Sequence, residues 1–248
     1  MHKLKKVVIV GGTSHIAEHC ARIWAQNEAV DLFLLGRDTD KLALVAKDLR
    51  VRSPHSTVTT LTADFLDCES IARSVHAMTV NGNIDLALIA QGTLPDQATC
   101  QKDLNLIKHV VDINGISPIL FAEALANHFE SAGAGTLVVL GSVAGDRGRK
   151  SNYTYGAAKG LLARYTEGLQ HRFANTKIKV VLVKPGPTKS PMTAHLNMPN
   201  LASAEEVASK IVSAAESGVP VLYAPRKWQI IMMIIRHLPA TLFNRLNI

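Results

Sequence analysis

The chain has 248 residues, 47% of them hydrophobic, and carries 27 basic against 20 acidic side chains for a formal charge of +7 at pH 7. That apolar content supplies a complete core and excludes a disordered chain, and three cysteines without a CxxC pair, Cys20, Cys68 and Cys100, argue against a disulfide scaffold and a metal site. The apolar run after MHKLKK is too short for a leader or a spanning helix, so a cytoplasmic protein is expected; the basic residues are scattered and form no nucleic-acid-binding motif, so no nucleic acid is expected as a partner.

Short β-branched runs alternate with longer segments of helical period. In chain order the pattern predicts a strand at Val7–Val10, a helix over 15–28, a strand at Leu32–Leu35, a helix over 39–52 and a strand at Val58–Thr62. A helix over 68–80, a strand at Leu86–Ala90, a long helix over 103–131 and a strand at Thr136–Leu140 follow. The series ends with a helix over 155–174, a strand at Lys179–Val183, a helix over 204–217 and a strand at Val219–Tyr223. Most of these strands are near-continuous apolar runs, as in a parallel sheet covered on both faces. The expected fold is α/β, a Rossmann-type doubly wound parallel sheet of about seven strands in a three-layer α/β/α arrangement. No linker or repeat interrupts the pattern, so one domain is expected over residues 1–248, with 225–248 as an apolar-basic extension of it.

Such folds bind ligands at the carboxyl ends of their strands. After the first strand comes Gly11-Gly12-Thr13-Ser14-His15-Ile16-Ala17, a glycine turn into a helix N-terminus. It presents backbone N–H groups to a pyrophosphate, or it is a tight structural turn. The second strand ends in Gly36-Arg37, where an arginine pairs with the 2′-phosphate of NADP, whereas a carboxylate would select NAD; the plainer alternative is a solvated loop arginine. Asp64, after the third strand, either accepts a hydrogen bond from an adenine amino group or caps the next helix. The fifth strand delivers Gly141-Ser142, and thirteen residues after Ser142 comes Tyr155-Gly156-Ala157-Ala158-Lys159. Tyr155 and Lys159 share one helical face, where an ammonium lowers the pKa of a neighbouring phenol, and Ser142 is placed to hold the oxygen that exchanges a proton with Tyr155.

On GSVAG, YGAAK and the KPG segment at Lys184 to Gly186, the chain resembles the short-chain dehydrogenase/reductase family over about residues 5 to 224. The resemblance implies that Ser142 positions the substrate oxygen, Tyr155 is the general acid in reduction, and Lys159 lowers the tyrosine pKa while holding the nicotinamide ribose. Asn114, in VDINGIS, matches the helix asparagine that supports a proton relay through water. Asp64 becomes the adenine contact, Gly92 the surviving glycine of the NAG motif after the fourth strand, and Pro185, Gly186, Thr188 and Ser190 part of a loop closing over nicotinamide. Gly11, Thr13, Ser14, His15, Ile16 and Arg37 complete the implied cofactor site, with NADP(H) preferred over NAD(H). Val10, His15 and Ala17 depart from the family's TGxxxGxG turn, and His15 adds bulk where backbone approaches phosphate.

GTLPDQ at Gly92 to Gln97, GDRGRKSNY at Gly145 to Tyr153 and KSPMTAHL at Lys189 to Leu196 surround the expected site mouth, and Arg147, Arg149 and Lys150 are candidates for attracting an anionic substrate. With the tail, these loops are similar to the branch that includes decaprenylphosphoryl keto-ribose reductase, which implies a ketosugar on a polyprenyl phosphate. The tail runs Arg226-Lys227-Trp228-Gln229, six apolar residues from Ile230 to Ile235, then Arg236-His237. Too short to span a bilayer, it is expected to pack against a second subunit in a homodimer or homotetramer, ahead of a peripheral contact with lipid at the inner face of a membrane. The expected activity is NADPH-dependent reduction of a small-molecule carbonyl, or oxidation of an alcohol, by Ser142, Tyr155, Lys159 and Asn114. A non-catalytic NADP-binding regulator or scaffold is the alternative.

Overall fold

Val7, Val8, Ile9 and Val10 are without solvent exposure, and a strand that is apolar on both sides is stable only in the middle of a covered sheet. In the computed structural model, which describes residues 4–80, 82–194 and 201–246, that run lies at the centre. Seven strands, β1 (Lys5–Val10), β2 (Val30–Gly36), β3 (Thr57–Thr62), β4 (Leu86–Ile89), β5 (Gly135–Leu140), β6 (Ile178–Pro185) and β7 (Val221–Ala224), form one sheet in the order 3-2-1-4-5-6-7. Every pair is parallel, and Val10 lies opposite Leu35 on one side and Ile89 on the other. Strand order reverses between β1 and β4, which opens a crevice at their carboxyl ends. β7 begins two residues later than its sequence suggests because Pro220 has no N–H for the ladder; its carbonyl still accepts from Leu182.

Helices α1 (His15–Asn27), α2 (Thr39–Arg52), α3 (Cys68–Thr79), α4 (Gln97–Cys100), α5 (Leu104–Val111), α6 (Ser117–Ala132), α7 (Tyr153–Arg172), α8 (Ala204–Ser217), α9 (Lys227–His237) and α10 (Ala240–Phe243) follow the strands. Trp24, Leu49 and Ile211, from α1, α2 and α8, fill the core on one face of the sheet. Met78, Phe121, Phe129 and Leu162, from α3, α6 and α7, fill the other. Asp38, Asp67 and Ser203 cap α2, α3 and α8 by accepting from Lys41, Ser70 and Glu206 N–H.

Two features depart from the expected pattern. The 103–131 segment is not a uniform helix: α5 and α6 are joined by a π turn, Asp112–Ile116, which contains Asn114. Pro118 has no N–H to bond four residues back, and the Ser117 N–H reaches Asp112 O, five residues away, so the coil widens there. The tail forms α9 and α10 and lies against the body. Trp228 sits so close to Gly186 that a Cβ there would fall 1.9 Å from the indole nitrogen. No helix among the described residues is long and apolar enough to cross a membrane.

Candidate active site

The carboxyl ends of β1, β4, β5 and β6 converge on a cavity of about 970 Å³. At one end is the β1–α1 turn. Gly11 has φ +84°, and a Cβ there would meet Gln91 N at 2.5 Å, so the turn closes against the exit of β4 only with glycine. Ser14, the N-cap of α1, makes no side-chain capping bond, unlike the caps of α2, α3 and α8. The first-turn amides of α1 therefore lack a side-chain acceptor where Thr13, Ser14, His15 and Ile16 line the cavity. The bulk of His15 is accommodated along α1 itself: the imidazole lies edge-on to His19 at 4.9 Å and 3.6 Å from Glu18.

Arg37 is exposed at the rim of the cavity and has no ion-pair partner among the described residues. The next residue, Asp38, is engaged: its carboxylate accepts from Lys41 N–H and pairs with Lys41 Nζ at 3.0 Å, and these bonds hold it below the usual carboxylate range. Asp64 does not line the cavity. Its carboxylate accepts from Leu66 N–H at 2.8 Å, and Phe65 lines the wall instead.

At the other end Ser142, Tyr155 and Lys159 come together. Lys159 is 3% exposed, donates to Leu140 O at 2.9 Å and stands 5.9 Å from the centre of the Tyr155 ring. Burial lowers the Lys159 pKa to about 8. Burial pushes the Tyr155 phenol up, offset in part by the Ser142 hydroxyl. The phenol is thus held protonated at neutral pH. Pro185, Gly186 and Thr188 close this end.

Asn114 stands one layer behind the cavity wall. It is fully buried, accepts from Thr93 N–H at 3.0 Å and donates to Val110 O at 2.9 Å. Gly92 is the gap between it and the lysine: a Cβ there would lie 2.9 Å from Asn114 Oδ1 and 3.9 Å from Lys159 Nζ.

The loops sort differently from their sequence reading. Arg147 is not available to an anionic substrate, because its guanidinium donates to Ile235 O and Leu238 O at the end of α9 and lies 3.8 Å over the Phe243 ring. Lys150 is exposed and does not line the cavity, whereas Arg149 does. Lys184 of the KPG segment is withdrawn as well, paired at 2.6 Å with Asp146, both side chains at most 7% exposed. His195 and Leu196 of the KSPMTAHL loop lie outside the described residues, while Ser190 lines the cavity.

Three contributors, Gln97, Gln91 and Asn152, escaped sequence reasoning, and Arg149, a candidate for an anionic substrate, joins them at the cavity. Gln97 donates to Thr154 Oγ1 at 3.0 Å and accepts from Thr154 N–H at 2.9 Å, which fixes the start of the helix that carries Tyr155. Gln91, Arg149 and Asn152 line the cavity, and Gln91 Oε1, Arg149 Nε and Asn152 Oδ1 are three of the four buried side-chain polar atoms without a partner among the described residues. Burial holds the Arg149 guanidinium below its usual range, with Asp146 opposing. Gln91 announced itself only as a break in the NAG motif, and Gln97 and Asn152 only as members of polar loops.

A family model described as short chain dehydrogenase matches residues 5–200. An uncharacterized oxidoreductase of Mycobacterium tuberculosis is 31% identical over 242 residues, 97% of this chain and 96% of that protein. One from Streptomyces coelicolor is 29% identical over 243 residues, 98% and 96% of the two chains. Among solved structures, a short-chain dehydrogenase from Sphingobium yanoikuyae in complex with NADPH superimposes with a TM-score of 0.83 at 22% identity, covering 96% of this chain and 97% of that one. A short chain dehydrogenase from Burkholderia cenocepacia in complex with NADP reaches 0.84 at 19% identity, covering 99% and 98%. At these identities the solved structures share the fold.

Proposed function

The chain belongs to the short-chain dehydrogenase/reductase family of oxidoreductases, and from that premise we propose that it reduces a carbonyl compound with NADPH, using Ser142, Tyr155, Lys159 and Asn114. The observation that carries this reading is the meeting of a half-buried Tyr155 with Ser142 and Lys159 at one end of a cavity whose other end is an uncapped helix N-terminus.

The residues fit a nicotinamide dinucleotide. The α1 amides suit its pyrophosphate, and Gln91 Oε1, a buried acceptor without a donor among the described residues, suits a hydroxyl or amide. Arg37, without an ion-pair partner among the described residues and beside an Asp38 already engaged by Lys41, favours NADPH over NADH. The bound NADPH and NADP of the Sphingobium and Burkholderia proteins agree with this choice. When bound, the dinucleotide supplies the hydride.

The protein handles the proton. Ser142 Oγ donates a hydrogen bond that orients the substrate carbonyl oxygen, and the Tyr155 phenol transfers its proton to that oxygen as negative charge develops there. The Lys159 ammonium stabilises the phenolate left behind. Asn114 holds the Thr93 backbone, and with it the loop beside Gly92, so that the space next to Lys159 stays open to a relay water.

The substrate class we favour is a ketosugar carried on a polyprenyl phosphate. Asn152 Oδ1 and Arg149 Nε, at the cavity wall and without partners among the described residues, suit sugar hydroxyls and an anionic group. The test follows NADPH oxidation over a panel of ketones and ketosugars. Tyr155→Phe is expected to keep NADPH binding and lose turnover by roughly 10²–10⁴-fold. Arg37→Ala is expected to weaken NADPH binding by roughly 10–100-fold with NADH unchanged, the worth of one charged hydrogen bond. NADPH binding with no wild-type turnover on any compound of the panel would leave a dinucleotide-binding regulator as the correct reading, and turnover that survives Tyr155→Phe would remove the phenol from the chemistry.

A further inference from the structure

The last long helix turns one side to the body. On α9, Met232 is fully buried and Trp228 lies over Gly186. The opposite side is apolar and uncovered: Ile230, Met233 and Ile234 are 61%, 56% and 55% exposed. Spacings of three and four residues align them in a single stripe. Leu242 and Leu246, 52% and 43% exposed, add apolar surface beyond the helix.

Cations stand at both ends of the stripe. Arg226 and Lys227 precede it, Arg236 follows it, Arg245 lies further on, and residues 225–248 contain no Asp or Glu. A two-fold contact between copies sets a patch against itself. Tail against tail would bring these cations together with no carboxylate from the tail to pair them. An anionic surface with an apolar interior complements the same pattern, with the stripe in the acyl boundary and the cations among the headgroups.

We propose that the exposed face of α9 docks on an anionic lipid bilayer, with the helix lying in the plane of the interface. At eleven residues, α9 cannot cross. It is also joined to the site, because Gly186 lines the cavity and Arg147 belongs to the loop that begins at Ser142. Docking therefore holds the cavity beside the membrane, where a lipid-linked substrate resides; that last step alone rests on the reductase reading above.

The test is co-sedimentation of the full chain with vesicles of phosphatidylcholine alone, or of equal parts phosphatidylcholine and phosphatidylglycerol, without substrate or dinucleotide. Docking thus succeeds or fails independently of the catalytic reading. Binding to the mixed vesicles is expected, weaker by roughly tenfold or more on phosphatidylcholine alone and for Arg226→Glu/Lys227→Glu, since each cation near an anionic surface contributes several-fold. The variant Ile230→Ser/Met233→Ser/Ile234→Ser changes only exposed positions and is expected to lose binding by a similar factor, with an unchanged circular dichroism spectrum. Absence of wild-type binding, or binding that the serine variant leaves intact, overturns the proposal. So does a wild-type dimer that the serine variant dissociates while neither protein binds vesicles, which would make the face a subunit interface.

Discussion

Lys159 has no carboxylate within ion-pair distance among the described residues, and its charge is buried at a cost that falls on folding. Its pKa is about 8 in the folded chain, against about 10.4 when solvated. Between those values the unfolded chain binds more protons than the folded one, so this group makes stability rise with pH across that window and subtract from it at neutral pH. Lys159→Met is therefore expected to be more stable than wild type at pH 7. The gain is about 2 kcal/mol after allowance for the donor lost by Leu140 O, and it vanishes near pH 10; urea unfolding at the two pH values measures the difference. The same titration should slow wild-type reduction as pH rises through about 8, when the phenolate of Tyr155 loses its neighbouring charge. At this scale the sequence was informative where side-chain chemistry and spacing suffice: Ser142, Tyr155 and Lys159 share the cavity end. It was silent where an atom's surroundings decide. That Arg147 is consumed by the tail depends on residues distant in the chain, and that the Tyr155 phenol is pushed up depends on desolvation.

Elements place those side chains, and the start of α7 is held from outside. Asn152 gives no side-chain cap; instead Gln97, 6% exposed, clamps both the amide and the hydroxyl of Thr154, the residue before Tyr155. Gln97→Ala leaves these buried groups without partners, at a cost of about 1–3 kcal/mol. It is expected to lower kcat more than it raises KM, because the phenol is displaced. Gln97→Glu keeps the acceptor for Thr154 N–H and should fall between the two in both thermal midpoint and kcat. Periodicity made all seven strands visible, since most are short apolar runs bounded by turns and β3 is a β-branched run of valine and threonine around one leucine. It missed the π turn at Asn114, although Pro118 was a visible warning that a uniform helix could not continue there. It missed α9 as a helix because the run Ile230 to Ile235 is apolar on every side. Which side is inner is set by Gly186 and Arg147, neither of which is near in sequence.

Across the whole molecule, the loop after β5 ties the sheet to the tail. Asp146 accepts from Lys184 of β6 and from the Tyr223 hydroxyl of β7, at 2.6 Å and 2.8 Å, and the adjacent Arg147 holds the carbonyls that end α9. The two contacts differ in kind. The first is an ion pair at the edge of the core, where removal of one partner strands a buried charge at a cost of about 3–5 kcal/mol. The second satisfies carbonyls at a helix end, where a cation contributes roughly 0.3–1 kcal/mol and water replaces it. We read residues 1–248 as one domain with 225–248 as its extension, so Asp146→Asn should lower the midpoint of a single cooperative unfolding transition. Replacing both charges, as Asp146→Leu/Lys184→Met, should recover much of that loss, since no charge is then left unpaired. Arg147→Ala should leave the midpoint nearly unchanged yet speed tryptic cleavage at Arg226, Lys227 and Arg236, because opening α9 exposes these bonds without unfolding the sheet. Equal effects of Asp146→Asn and Arg147→Ala on both the midpoint and the cleavage rate would mean that tail and sheet unfold as one unit.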